Sequence, residues 1–195
     1  MMNIALFDFD GTITNTDTFT KFILFAANKR KINVGKIILL PTIVKYKLGR
    51  LHGSEIRKKV YNFAFKGTNE GQLRIKGEAF SELMIPNYIR ANAFEKIKWH
   101  QQRGDIVVIV SASLDLYLNP WCIKYGLDLI CTKVDVVDGI LTGNYLNDDC
   151  SGITKKQLVE QKYNLSNFDT IYAYGDTLED EELLSLADER FYQYF

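Results

Sequence analysis

Hydrophobic positions along the chain recur with two different periods. Asn3 to Phe9 is a short apolar run closed by acids and Gly11, while Ile106 to Val110 is β-branched throughout and follows an Arg103-Gly104 helix stop. Leu127 to Cys131 and Thr170 to Tyr174 are two further runs of this kind. Continuous runs of this length predict strands buried on both faces. Helical spacing fills the intervals: Asn87 to Gln102, with Ile89, Ala93, Phe94 and Ile97 on one face, then Leu114 to Lys124 and Lys155 to Tyr163. Strands alternating with helices predict an α/β fold with a Rossmann-like parallel sheet. Val134 to Tyr145 is the exception, because Asp138-Gly139 between two β-leaning stretches predicts a hairpin.

The alternation fails between residues 16 and 85. Phe19, Phe22, Ile23 and Ala26 share a helical face; Ser54 is placed to cap a helix carrying Ile56, Val60, Phe63 and Ala64; Thr68 is placed to cap another carrying Leu73, Phe80 and Leu83. The expected organisation is an α/β core of residues 1–15 and 86–195, with an all-helical subdomain of residues 16–85 inserted after the first strand.

With 47% hydrophobic and 25% charged residues, the 195-residue chain lies far from disordered compositions and can bury a substantial core. Cys122, Cys131 and Cys150 form no C-x-x-C pair and are odd in number, which predicts buried thiols in a reducing compartment rather than a disulfide framework or zinc site. The start at Met1 has no basic flank, and Asp8 ends its apolar run, so no export signal is read. Ile37 to Val44 is too short to span a bilayer and is closed by Lys36 and Lys45. A cytoplasmic location is expected.

Zero net charge conceals an asymmetry. From Lys21 to Lys59 there are eleven basic residues and one acid, Glu55, leaving thirteen basic residues against twenty-three acids elsewhere. A basic insert on an acidic body favours anionic ligands and, together with Ile37 to Val44, peripheral contact with an anionic membrane at its inner face. No nucleic-acid partner is expected, and oligomeric state is left open.

In an open parallel sheet, ligands gather beyond the carboxyl ends of the strands. Asp8-Phe9-Asp10-Gly11-Thr12 follows the first strand, Ser111-Ala112-Ser113 follows Val110, and Gly175 to Asp180 follows Tyr174. Gly152 leads to Lys155-Lys156. Asp8, Asp10, Asp176, Asp180, Ser111 and Lys155 thus converge on one rim. Crowded carboxylates at an apolar edge call for a compensating cation, and oxygen-only ligands favour Mg²⁺. Mg²⁺, a lysine and a serine around one space would hold a phosphoryl group facing an attacking carboxylate. Taken alone, Ser111 reads equally well as a helix cap and Lys155 as a surface lysine.

These four segments, in order, resemble the motifs of haloacid-dehalogenase-superfamily phosphatases: DFDGT (Asp8 to Thr12), SAS (Ser111 to Ser113), Gly152-x-x-Lys155 and GDTLED (Gly175 to Asp180). The helical insert and the hairpin are similar to the subgroup containing phosphoserine phosphatase. The resemblance implies a Mg²⁺-dependent phosphomonoester hydrolase. Asp8 would form an aspartyl-phosphate and Asp10 would be general acid and then base. Metal ligation would fall to the Asp8 carboxylate, the Asp10 carbonyl and Asp176, with Asp180, Gly11 and Thr12 supporting. Ser111 and Lys155 would bind the phosphoryl oxygens, Lys155 being preferred to Lys156 because it shares a helical face with Leu158 and Val159. Glu179 departs from the Asn of many relatives. The basic insert also resembles the branch containing phosphatidylglycerophosphate phosphatases, so the expected substrate is either a phosphorylated glycerolipid or a small soluble phosphomonoester. Two readings without turnover stand beside this one, a phosphoryl-accepting signalling module and an anionic-membrane-binding protein.

Overall fold

The computed structural model describes residues 2–195; Met1, where the N-terminal reading begins, lies outside the described residues. Strand β1 (Ile4–Phe7) is followed by five helices, α1 (Thr18–Ala26), α2 (Lys29–Ile38), α3 (Leu40–Lys47), α4 (Gly53–Phe65) and α5 (Glu70–Leu83). Then come α6 (Ala91–Gln102), β2 (Ile106–Leu114), α7 (Asp115–Tyr125), β3 (Asp128–Thr132) and the pair β4 (Val134–Val137) and β5 (Ile140–Tyr145). The chain closes with α8 (Ile153–Lys162), β6 (Ile171–Gly175), α9 (Glu181–Leu184) and β7 (Glu189–Tyr192). No helix is long and apolar enough to cross a membrane among the described residues.

The main sheet is parallel in the order β3-β2-β1-β6-β7. Central β1 is wholly buried because it is covered on both faces. Ala5 and Phe7 enter the core shared with α1, α5 and α7, while Ile4 and Leu6 face Val159, Leu183 and Leu184 of α8 and α9. This period of two explains why the run lacks polar positions. Since β1 pairs with both β2 and β6, the segments leaving these three strands emerge side by side.

The residues after β1 contain only helices up to Leu83, as the pattern predicts. Their caps differ from expectation. Ser54 lies inside α4, whose N-cap is His52 without a side-chain bond. Thr68 pairs instead with the hairpin, accepting from Leu141 N–H at its carbonyl (2.9 Å), and Asn69 caps α5 by accepting from Gln72 N–H. The buried face of α4 is Tyr61, Ala64 and Phe65, whereas Ile56, Val60 and Phe63 line an open groove. Leu83 is exposed. Helix α6 begins later than its periodicity suggests, because Pro86 opens a 3₁₀ turn and Ile89 bridges to Thr14. In the hairpin, positive φ at both Asp138 (51°) and Gly139 (73°) fits a two-residue primed turn.

Candidate active site

The β1 exit places two acids. Asp8 N–H still continues the sheet, donating to the Tyr174 carbonyl (2.9 Å), and the chain then turns at Gly11, whose φ is 88°. Only glycine fits there: a β-carbon would stand 2.2 Å from Asp176 Oδ2. This contact packs the first loop directly on the last. Thr12 Oγ1 donates to Asp176 Oδ1 (3.1 Å) and fixes the same carboxylate from the other side.

Lys155 is the centre of the buried charge. Its Nζ donates to Asp8 Oδ1 (2.5 Å) and Asp180 Oδ1 (2.6 Å), with all three side chains almost fully enclosed. Helix α8 brings it there because Val159, one turn on, is buried in the core. Lys156 points elsewhere, donating to Ser185 Oγ (3.3 Å). Asp180 accepts at Oδ2 from Asp176 N–H (3.2 Å), Thr177 N–H (3.0 Å) and Thr177 Oγ1 (2.9 Å), so both of its oxygens are committed and it braces the loop after β6.

Asp10 faces the helical insert. Its Oδ1 accepts from Thr18 N–H (2.7 Å) and Thr18 Oγ1 (2.6 Å), and its Oδ2 from Ser113 Oγ. Ser111 lies within β2, which runs on to Leu114 instead of ending at Val110 as the apolar run suggests, and it is buried and accepts at Oγ from Ser113 N–H (3.1 Å). Asp8, Asp10, Ser111, Lys155 and Asp180 border one cavity of about 520 Å³, roofed by Phe19, Tyr46, Ile56 and Val60 of the insert. Asp176 opens on the adjoining cavity of about 270 Å³, beside Gly11, Thr12 and Arg90.

Around Lys155 two buried carboxylates share a single ammonium, and Asp10 and Asp176 add further acids beside them. Burial works against a charged Lys155, but Asp8 and Asp180 outweigh it and drive the ammonium upward. Burial would likewise raise Asp180, yet the Lys155 charge and the Thr177 bonds hold its carboxyl below the ordinary range. Asp8 bears the remaining cost: burial pushes it to about 8, only partly opposed by Lys155 and reinforced by Asp180 and Asp10. Burial also raises Asp176. One oxygen each from Asp8, Asp176 and Asp180 lies within 4.8 Å of the others. Asp8 Oδ2 and Asp176 Oδ2 carry no hydrogen bond among the described residues. Two uncommitted carboxylate oxygens and a surplus negative charge fit a hard divalent cation.

Thr18, Ser113 and the Arg57 system lie outside the predicted site. Arg57 of α4 donates from Nε to Asp149 Oδ2 (2.9 Å) and from Nη2 to Asp149 Oδ1 (2.8 Å), and also reaches Glu179 Oε2 (2.9 Å). Glu179 is therefore a link to the insert. The histidines lie outside the site: His52 caps α4, and His100 is buried against Asp105 and Tyr174. The three cysteines are free and buried.

A family model described as haloacid dehalogenase-like hydrolase matches residues 5–185. The chain is 31% identical over 194 residues to Protein CicA of Caulobacter vibrioides, covering 98% of this chain and 86% of that protein. It is 25% identical over 198 residues to a histidinol-phosphatase of Neisseria meningitidis serogroup C, covering 97% and 89%. A solved substrate-bound phosphoserine phosphatase complex superposes with a TM-score of 0.71 at 21% identity, over 98% of this chain and 86% of that one.

Proposed function

The chain belongs to the haloacid dehalogenase-like hydrolase family, and from that membership we propose that it is a phosphatase cleaving phosphomonoesters through a covalent intermediate on Asp8. The observation that carries this reading is the state of Asp8: Lys155 fixes one oxygen while the other is unpaired at a cavity that also holds Asp10 and Ser111. Asp8 Oδ2 forms a bond to phosphorus as the ester P–O bond breaks, and the departing oxygen takes a proton from Asp10. Water then attacks the aspartyl-phosphate, giving its proton back to Asp10, and Asp8 and inorganic phosphate are released. Burial and the nearby Asp17 push Asp10 to about 6, against the bonds from Ser113 and Thr18, which suits a group that must both give and take a proton near neutrality.

Ser111 and Lys155 bind phosphoryl oxygens in this scheme. Asp8, Asp176 and the Asp10 carbonyl hold Mg²⁺, with Gly11, Thr12 and Asp180 supporting. When bound, Mg²⁺ supplies charge neutralisation for the phosphoryl oxygens. Residues 16–85 act as a cap over a core of residues 1–15 and 86–195.

The shape of the cap favours a substrate with an apolar tail, such as a phosphorylated glycerolipid. A second cavity, about 430 Å³ and walled mainly by apolar side chains of α1 to α4, shares Thr20, Tyr46, Ile56 and Val60 with the catalytic one. A phosphate-release screen over glycerolipid, sugar, amino-acid and nucleotide phosphates, with and without Mg²⁺, tests both levels. Metal-dependent turnover lost in Asp8→Asn supports the mechanism; normal turnover in that variant overturns it. Preference for a short soluble ester over all glycerolipid phosphates overturns the substrate assignment alone.

A further inference from the structure

Helices α2 and α3 carry more apolar surface than the fold uses. Gly35 is the single buried residue of α2, and α3 has none. Their inner side is accounted for, since Ile32, Leu39, Ile43 and Tyr46 line the groove beside the catalytic cavity. The opposite side bears Val34, Ile37 and Ile38 in α2, with Ile37 and Ile38 three and four residues after Val34, and Val44 in α3 with Leu48 four residues on at its C-terminal end, so that each helix presents an apolar stripe. All are exposed, Ile37 by 76% and Leu48 by 62%. Nothing else in the described chain covers them.

The charges around these stripes are all of one sign. Lys29, Arg30, Lys45 and Arg50 belong to the same two helices and their flanks, Lys31, Lys36 and Lys47 border the groove on the inner side, and no acid occurs between Asp17 and Glu55. We propose that this face docks in the plane of an anionic lipid bilayer, with the apolar stripes entering the headgroup boundary and the cations meeting lipid phosphates. The charge pattern selects this occupant. A symmetric pairing of two copies would set these cations against one another across a low-dielectric seam. A nucleic acid would meet the cations but would leave the aliphatic stripes in water. The bilayer is the partner that satisfies both components, and neither helix needs to cross it. The inference concerns the outer face of α2 and α3 and holds whether the substrate is a lipid or a soluble ester.

The test is sedimentation of the full chain with vesicles of pure phosphatidylcholine and with vesicles containing about one-third phosphatidylglycerol. Binding to the anionic vesicles should be at least about tenfold tighter, and should weaken at least about tenfold between about 0.1 and 0.5 M salt. The double variant Ile37→Glu and Val44→Glu, at exposed positions outside both cavities, should abolish vesicle binding while hydrolysis of a soluble chromogenic phosphate ester without vesicles stays within about twofold. Equal binding to both vesicle types, no binding to either, or a dimer in vesicle-free solution that the double variant dissolves would overturn the proposal.

Discussion

Arg57 on helix α4 and Glu179 in the loop after β6 are joined by an ion pair of 2.9 Å across the mouth of the candidate catalytic cavity. The same guanidinium grips Asp149 with two bonds, and Asp149 is nearly buried whereas Glu179 is 41% exposed. The two contacts therefore have unequal weight. Arg57→Ala should lower stability by about 2 kcal/mol, because it strips a buried carboxylate of its charged donor. Glu179→Gln should cost less than about 1 kcal/mol, as expected for a solvent-screened pair. Urea unfolding measures both. In steady-state kinetics, each variant should raise KM more than it lowers kcat, since the link holds the insert and touches none of the reacting groups.

Lys155 and Lys156 are adjacent in sequence and opposite in consequence. Lys155→Met leaves Asp8 and Asp180 buried without their shared cation and should reduce kcat by about 10² to 10³, the range for loss of a fixed electrostatic partner. Lys156→Met removes only a long contact to Ser185 and should leave turnover within about twofold. Equal losses in the two variants would contradict the placement of Lys155 in the reaction.

What the sequence reveals depends on how local the determining physics is. Strand Ile4–Phe7 and the Ile106–Val110 part of β2 are legible because burial on both faces writes an uninterrupted apolar run, whereas the continuation of β2 through Ser111 and Ser113 to Leu114 is masked by its hydroxyl side chains. Strand β7, Glu189–Tyr192, is not: it lies at the sheet edge, is only four residues long and is mostly exposed, so its sequence resembles a surface loop. Ile56, Val60 and Phe63 of α4 have the spacing of a core face yet line a groove, because periodicity reports amphipathicity and not which neighbour arrives. Within the site, the acids and Lys155 stand out through motif order. The Arg57 partners lie 92 and 122 residues away, and no short-range pattern encodes that pairing. Thr18, the first residue of α1, and Ser113, inside β2, carry no local signal of their own, and their part in the site emerges only where both hydroxyls donate to the Asp10 carboxylate.

Asp10→Asn preserves the shape of the side chain and removes its proton chemistry. The variant should lose about 10² to 10⁴ in rate. Because the hydrolytic water then lacks its base, the covalent state on Asp8 should accumulate when the leaving group is a good one and needs no acid. A nitrophenyl phosphate ester provides that condition. Mass spectrometry of the rapidly quenched variant should show a phosphoryl mass increment on the peptide containing Asp8, absent from Asp8→Asn.

Stability should carry a histidine signature distinct from the site. His100 is completely buried, with Nδ1 2.8 Å from Asp105 Oδ2 and Nε2 3.0 Å from the Tyr174 hydroxyl, so the neutral ring can donate to the carboxylate and accept from the phenol. Burial lowers its pKa; Asp105 opposes this, while Lys96 and Arg103 add to it. The unfolded chain thus binds a proton near the ordinary histidine value of about 6.5 while the folded chain resists it. Between those two values the unfolded state holds more protons, so stability falls as pH drops below about 6.5, by at most about 1.4 kcal/mol per pH unit. Asp8 acts with the opposite sign: its raised carboxyl makes the folded state bind the extra proton below about 8 and gain stability there. Urea melts of the wild-type chain alone would mix the two effects. The difference between the wild-type chain and His100→Gln, measured from pH 8 down to about 5, removes the shared Asp8 contribution and should shrink as pH falls below about 6.5. A difference that stays constant over that range would mean that His100 takes up its proton as readily in the folded chain as in the unfolded one.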